Sequence, residues 1–239
     1  MTRIKLAGLC LVAVFAFGAV AVAQASAAEY IYKVNGAKLE AGKTKEIKSS
    51  AKKSFVLRGK GALEIEAVTT CTSLTLNAAE KPVIVGGQPG KSEKEKVEFG
   101  GCTATVGGSK CSTVEVTNVS TKNEIVTVVA PASLKGRLAT LFTPTTGTEF
   151  SKVKLNKCGI FGTQTATVEG TSAALDEPKE AEAKAGTLVY ATGASEITEV
   201  EKFGGGGAVK VELKSNKKKA TIEGEATVEL LSGENWGVF

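Results

Sequence analysis

The chain has 239 residues, of which 30 are basic and 25 acidic, with 42% hydrophobic and only 5% aromatic side chains. It contains no histidine, and Asp176 is its only aspartate. Nucleophile–histidine triads, cysteine–histidine pairs and histidine-ligated metal centres are excluded at once.

Arg3 and Lys5 precede an uncharged apolar run, Leu6 to Val22, which exits through Ala25-Ser26-Ala27. A positive n-region, an apolar stretch and a small-x-small site are the pattern of a cleaved export signal. The expectation is a signal peptide over residues 1–27 and a secreted all-β domain over residues 28–239, located extracytoplasmically or at the cell surface. Cys10 follows Leu9, where a lipoprotein signal needs a small residue, so lipidation is not expected. No later apolar run is long enough to cross a bilayer, so no membrane span is expected after processing.

Without Arg3 and Lys5, 28 basic residues face 25 acidic ones, and Arg58 and Arg137 are the remaining arginines. That balance lacks the clustered basic footprint of a nucleic-acid protein. Lys217-Lys218-Lys219 is the one basic run, and it reads as a charged hairpin tip that discourages edge pairing. No Gly-x-Ser-x-Gly elbow, phosphate loop or dinucleotide fingerprint is present, so no cofactor is expected.

Side-chain alternation with period two predicts strands at Tyr30–Val34, Lys45–Lys48, Phe55–Arg58, Leu63–Ala67, Ser73–Leu76 and Pro82–Val85. Further strands are predicted at Lys96–Phe99, Val114–Thr117, Glu124–Ala130, Leu138–Phe142, Glu149–Leu155, Thr163–Glu169 and Thr187–Thr192. Glycines punctuate them, the pattern of an antiparallel β-sandwich-like domain. Division into two β subdomains near Pro131 is the alternative. Leu63, Ile65 and Ala67 are in phase with Cys71, but Leu74 and Leu76 are not, which calls for a bulge or turn near Thr69–Ser73. Asp176 to Gly186 carries an N-cap, an early proline and a closing glycine, and predicts a short helical turn. Ala166-Thr-Val-Glu-Gly170 echoes Ala220-Thr-Ile-Glu-Gly224, too short a repeat to establish a duplication.

The clearest alternation closes the chain. Ile222, Gly224, Ala226, Val228 and Leu230 take one face, and Thr221, Glu223, Glu225, Thr227 and Glu229 the other. Val209, Val211 and Leu213 form a matching stripe, and Ser215-Asn216-Lys217-Lys218 joins the two as a hairpin. Val211, Leu213, Ile222, Val228 and Leu230 are the expected core.

Four cysteines follow the leader: Cys71, Cys102, Cys111 and Cys158. An even number in an exported chain implies two disulfides, with three pairings open. A bend at Gly107-Gly108 suggests Cys102–Cys111, leaving Cys71–Cys158. The absence of Cys-x-x-Cys speaks against a metal or redox site.

Some catalytic chemistry stays formally open. Ser49-Ser50-Ala51-Lys52-Lys53 holds Ser-x-x-Lys twice, without its companion motifs. Glu64/Glu66, Glu223/Glu225 and Glu201/Glu212 are the carboxylate pairs a glycosidase reading would use. Alternating glutamates on strands read better as a solvated face.

Several segments in order resemble one family. They are Tyr32-Lys-Val-Asn-Gly36-Ala-Lys-Leu39, a strand leading to Cys71, a strand into Cys102 with Cys111 after it, and Phe142-Thr-Pro-Thr-Thr-Gly147-Thr-Glu-Phe150. A strand ending at Cys158, Ala220 to Leu231, and Trp236-Gly-Val-Phe239 complete the series. Together they resemble a family of uncharacterised exported proteins common in soil actinobacteria. The resemblance implies export and a β-rich fold, and carries no activity or site residues. Ala194–Gly207 departs from the family pattern as an insertion. The expected function is that of a non-enzymatic structural or binding protein, with cell-wall polymer or another surface protein as partner. A secreted hydrolase using glutamates or a Ser–Lys pair is the alternative.

Overall fold

The structure, a computed structural model, describes residues 29–61, 63–117, 119–205 and 207–239. The expected leader over residues 1–27 lies outside the described residues. Elsewhere the chain is all-β and antiparallel, as the alternation implies, and its helical pieces are single 3₁₀ turns.

Eight strands form a ring in which each is hydrogen-bonded to a neighbour on both sides. In order these are Thr44–Lys60, Val83–Val85, Lys91–Val106, Val119–Ala130, Leu138–Pro144, Ser172–Glu177, Ala185–Tyr190 and Lys218–Leu230. The last returns to the first through pairs such as Val228↔Ser49 and Leu230↔Ile47. A small sheet of Trp236–Val238, Tyr32–Val34 and Ala37–Lys38 packs against this ring. Its hairpin turns on Asn35-Gly36, both at positive φ, the two-residue geometry that matches strand twist. Tyr32, Val34, Trp236 and Val238 join Ile47, Ile84, Ile125, Leu138, Val228 and Leu230 in the ring's core.

Four strands run on into a second lobe. Glu66–Leu76 pairs with both Thr44–Lys60 and Lys91–Val106. On the other side, Lys218–Leu230 passes to Leu213–Ser215, Gln164–Gly170, Glu149–Asn156 and finally Thr113–Val116. Val106, Val153, Leu155, Val168, Leu213 and Ala220 fill the interior of this lobe. Strands of 17, 16 and 13 residues cross between the lobes. The phase change expected near Thr69–Ser73 falls between buried Cys71 and buried Leu74. The neighbouring strand changes phase with it, at Gly101 (φ +60°).

Both disulfides differ from the expected pairing. Cys71 bonds Cys102, and Cys111 bonds Cys158. The turn does lie at Gly107-Gly108, but it pairs Val106 with Ser109 and Thr105 with Lys110. That register carries Cys111 to Ala104, with the Cys111 N–H donating to the Ala104 carbonyl at 3.0 Å, two residues short of Cys102. Cys102 instead lies directly across the ladder from Cys71.

No helix forms at Asp176 to Gly186. Leu175, Asp176 and Glu177 pair with Val189, Leu188 and Thr187, so the segment is a strand, a loop and the start of the next strand. Residues 194–205 form part of a flap. Glu199–Lys202 pairs with the far end of Val119–Ala130, from Val126 to Ala130, and Val200 and Ile197 cover Val126, Val128, Ala139 and Leu141 from outside.

The closing hairpin has the expected burial, with Val211, Leu213, Val228 and Leu230 between 1% and 8% exposed. Asn216 and Lys217, both at positive φ, make its turn. Ile222 is only half-buried, and beyond it the pairing slips between Glu223 and Glu225 and again between Glu225 and Ala226. Gly224 sits at that slip with the Phe55 ring against it; a Cβ there would lie 2.7 Å from Phe55 Cδ1.

Candidate functional site

The carboxylates and the Ser–Lys residues that the hydrolase alternative would use occupy exposed or ladder positions. Glu64 and Glu66 are exposed at the turn before the Glu66–Leu76 strand. Glu223 meets Arg58 at 3.5 Å, and Glu225 is paired with Lys53 and Lys52. The Lys53 hydrogen bond holds the Glu225 carboxyl below its usual value, and that from Lys214 does the same for Glu212. A general acid needs its pKa raised, the opposite direction. Glu201 is exposed and pairs in the flap with Ala208. Ser49 Oγ donates to the Thr227 carbonyl at 2.9 Å, and Lys52 Nζ donates to Thr187 Oγ1, so the Ser-x-x-Lys residues serve the strand ladder. The glutamates of the closing strand face the lysines of Thr44–Lys60, Glu229 meeting Lys48 at 2.8 Å. Across its own hairpin the register sets Lys214 opposite Lys219 rather than opposite an acid. Lys218 and Lys219 of the basic run reach Glu64 and Glu196.

The perturbed carboxyls are two that sequence reasoning did not select. A bulge between Ser92 and Glu95, with Lys94 at φ +59°, turns Glu95 into the ring. Bulges re-aim side chains in this way. Burial pushes the Glu95 carboxyl up to about 7, against the hydrogen bonds of Ser92 and Asn123. Asn123 Nδ2 also donates to Ser92 Oγ at 3.0 Å. Asp176 is likewise inside, and burial raises it to about 7 despite the Thr140 hydroxyl donating to Oδ1 at 3.0 Å. Tyr32 and Tyr190 are pushed up by burial first, and then by the two carboxyls. Glu95 and Asp176 are 7% and 8% exposed, enclosed by the ring rather than presented to a substrate. Among the described residues no group of three or more acidic or cysteine side chains could hold a metal ion, and no helix is long and apolar enough to cross a membrane.

The broad concave surface lies outside the ring, above Ser92 and Asn123. It is an open cleft of about 630 Å³. Its floor is the paired strands Lys91–Val106 and Val119–Ala130, whose register sets Lys91 opposite Glu124 and Ser92 opposite Asn123. Thr143 lies across from Lys122 and donates to its carbonyl at 2.9 Å. Thr148 and Thr171 line the rim, and Lys202 arrives from the flap to meet Glu124 at 2.5 Å. Lysines, glutamates and threonine hydroxyls thus share one surface, with no aromatic platform. The sequence signal for it was weak: its residues come from five separate segments, each reading alone as an exposed strand or turn.

Comparison with protein-family profiles, with curated proteins and with solved structures finds no match.

Proposed function

We propose that the chain is an exported, non-enzymatic binding protein of the cell surface or medium, and that the cleft over Lys91, Lys122 and Lys202 takes a polar cell-surface polymer. The observation that carries this reading is the cleft's alternation of ammonium, carboxylate and hydroxyl groups. Such a surface offers donors and acceptors in turn, suited to a hydroxyl-rich or zwitterionic polymer. Two disulfides fit an oxidising, extracytoplasmic compartment. The glutamates that a hydrolase would need are ion-paired or exposed, and the carboxyls with raised pKa are enclosed. Both features favour binding over bond cleavage.

The test is co-sedimentation of the chain lacking residues 1–27 with purified cell-wall fractions, together with a glycan panel. The expected result is saturable binding that weakens at least tenfold in Lys91→Glu/Lys122→Glu, with no release of reducing ends. Undiminished binding in that variant would remove the cleft from the reading, and released reducing ends would replace it with the hydrolase.

A further inference from the structure

Four turns meet at the far end of the second lobe. Gly107 lies against the Phe161 ring and Ile65; a Cβ on it would sit 2.9 Å from Phe161 Cζ and 3.1 Å from Ile65 Cγ2. Gln164 Nε2 donates to the Phe161 carbonyl at 2.6 Å. From the closing hairpin, Asn216 Nδ2 donates to the Lys60 carbonyl at 3.1 Å, and Lys218 meets Glu64 at 3.4 Å. The turns that follow Lys60, Val106, Lys157 and Ser215 therefore form one pole of the molecule.

This pole shows apolar side chains to solvent. Ile160 is 93% exposed and Leu63 58%, above half-buried Ile65 and Phe161. Turns ordinarily carry glycine, proline or short polar residues at such positions. A loose loop does not account for Ile160. Cys158, wholly buried, is bonded to Cys111, and its N–H donates to the Gly162 carbonyl at 2.7 Å. The Phe161 N–H donates back to the Cys158 carbonyl at 3.1 Å. The loop is closed at its base and holds Ile160 outward. Single exposed apolar residues are ordinary, but several gathered at one end mark an interaction surface.

Lysines surround the apolar tip. Lys60, Lys110, Lys157 and Lys217 are exposed and, among the described residues, none of them is in an ion pair. The acids beside them are Glu64, already shared with Lys218, and Glu66, opposite Lys60 in the ladder. Glu115, further back, is paired with Lys154 at 3.6 Å. The partner must therefore be both anionic and apolar. A second copy of this pole would set lysines against lysines. An anionic polymer would satisfy the lysines and leave Ile160 and Leu63 in water. A bilayer with anionic headgroups satisfies both, because interfacial binding adds buried apolar area to electrostatic attraction.

We propose that this pole docks on the surface of a lipid bilayer carrying anionic headgroups. Ile160 and Leu63 enter the boundary between headgroups and acyl chains, and the four lysines lie among the phosphates. The outer cleft begins at the opposite end of the Lys91–Val106 strand, so the docked protein turns that cleft away from the bilayer. The docking does not depend on what the cleft binds.

The test is co-sedimentation with phosphatidylcholine vesicles, with and without phosphatidylglycerol, at low and at physiological salt. The chain lacking residues 1–27 is used, because the apolar run Leu6 to Val22 would itself enter a bilayer. The anionic vesicles should bind it, more weakly at the higher salt, and the neutral ones should not. Leu63→Ser/Ile160→Ser and Lys157→Glu/Lys217→Glu should each weaken binding by about tenfold or more. Leu231→Ser, at an exposed residue at the other end of the Lys218–Leu230 strand, should leave it unchanged. Thermal melts confirm that each variant is folded. With brominated lipid, the added emission of Ile160→Trp should be quenched, and that of Trp236 in the wild type should not. Equal binding to both vesicle types, or none at millimolar lipid, overturns the proposal. So does a loss confined to the lysine variant, which would make the pole a polyanion site. A dimer that Leu63→Ser/Ile160→Ser dissolves would make it an interface between copies, and overturns it too.

Discussion

In the lobe built around Ile125 and Leu230, every strand of the ring has a hydrogen-bonded neighbour on each side. In the lobe built around Val106 and Leu155, the ladder stops at Thr113–Val116 and, among the described residues, does not pair onward to Lys91–Val106. The gap is crossed by two residues. Cys111 N–H donates to Ala104, Ser112 N–H donates to Asn156 at 2.8 Å, and the Cys111–Cys158 bond holds them there. The closed ring holds the buried carboxyls Glu95 and Asp176, whereas the open lobe is clamped covalently around an apolar interior. An unpaired strand edge is an invitation to other chains. Ring closure and a disulfide are two ways of removing it.

The largest expected effect tests whether the ring's interior is a true core. Val228→Asp places an unpaired charge among Leu138, Trp236 and Leu230, and should destabilise by about 5 kcal/mol. Its neighbour Glu229 pairs with Lys48 with its side chain 40% exposed, and Glu229→Ala should change stability by no more than about 0.5 kcal/mol. Equal shifts in paired thermal melts would mean that this strand covers no core.

Next in size is the clamp of the open lobe. Cys111→Ala/Cys158→Ala releases a link over 47 residues, worth about 4 kcal/mol in the chain-entropy account. Local opening should accompany the global loss, with amide exchange accelerated across Thr113–Val116. Cys71→Ala/Cys102→Ala should lower stability by a similar amount without local opening, because Cys71 and Cys102 sit mid-ladder. If both pairs leave local exchange unchanged, the comparison of open and closed lobes fails.

The third test sharpens what the ring's interior holds. The folded carboxyls sit at about 7, whereas ordinary values are 4.5 for Glu95 and 3.8 for Asp176. Between those values and about 7 the folded chain keeps protons that the unfolded chain has released. Stability should therefore fall as pH rises through that window, and level off above it. Glu95→Gln should be more stable than wild type at pH 8 by about 3 kcal/mol, and equally stable at pH 4. Denaturant midpoints that stay flat from pH 4 to pH 8 would show that neither carboxyl is enclosed as described.

The sequence displayed some of this architecture plainly. The closing hairpin was legible because Val228, Leu230 and their neighbours alternate without a break, and because Asn216-Lys217 tolerates positive φ. The pairing of the cysteines was not, since it depends on which distant strand lies beside Cys71. The strand Thr44–Lys60 reads as two short pieces because Ala51 is the one apolar residue from Ser49 to Lys53; Lys52 and Lys53 there pair with Glu225 of the closing strand. Glu95 was hidden for a different reason. Ser92-Glu93-Lys94-Glu95-Lys96 reads as a solvated face, and only a bulge at Lys94 turns one of its charges inward. Ser172–Glu177 was missed because Asp176-Glu177-Pro178 imitates a helix start. The cleft is assembled from segments far apart in sequence and carries no local signature.

Four strands cross from one lobe to the other, and that bears on how any ligand could enter. Hinge closure needs a crossing of one or two flexible segments that absorb a change in backbone angle. Here the crossing is a multi-stranded slab, stitched by cross-strand hydrogen bonds along Glu66–Leu76 and both its neighbours. Bending it would break several ladders at once. The lobes should therefore behave as one stiff body, with the jaws of the molecule fixed at their resting gape. A ligand of the outer cleft therefore meets a preformed surface, and its binding should need no domain motion.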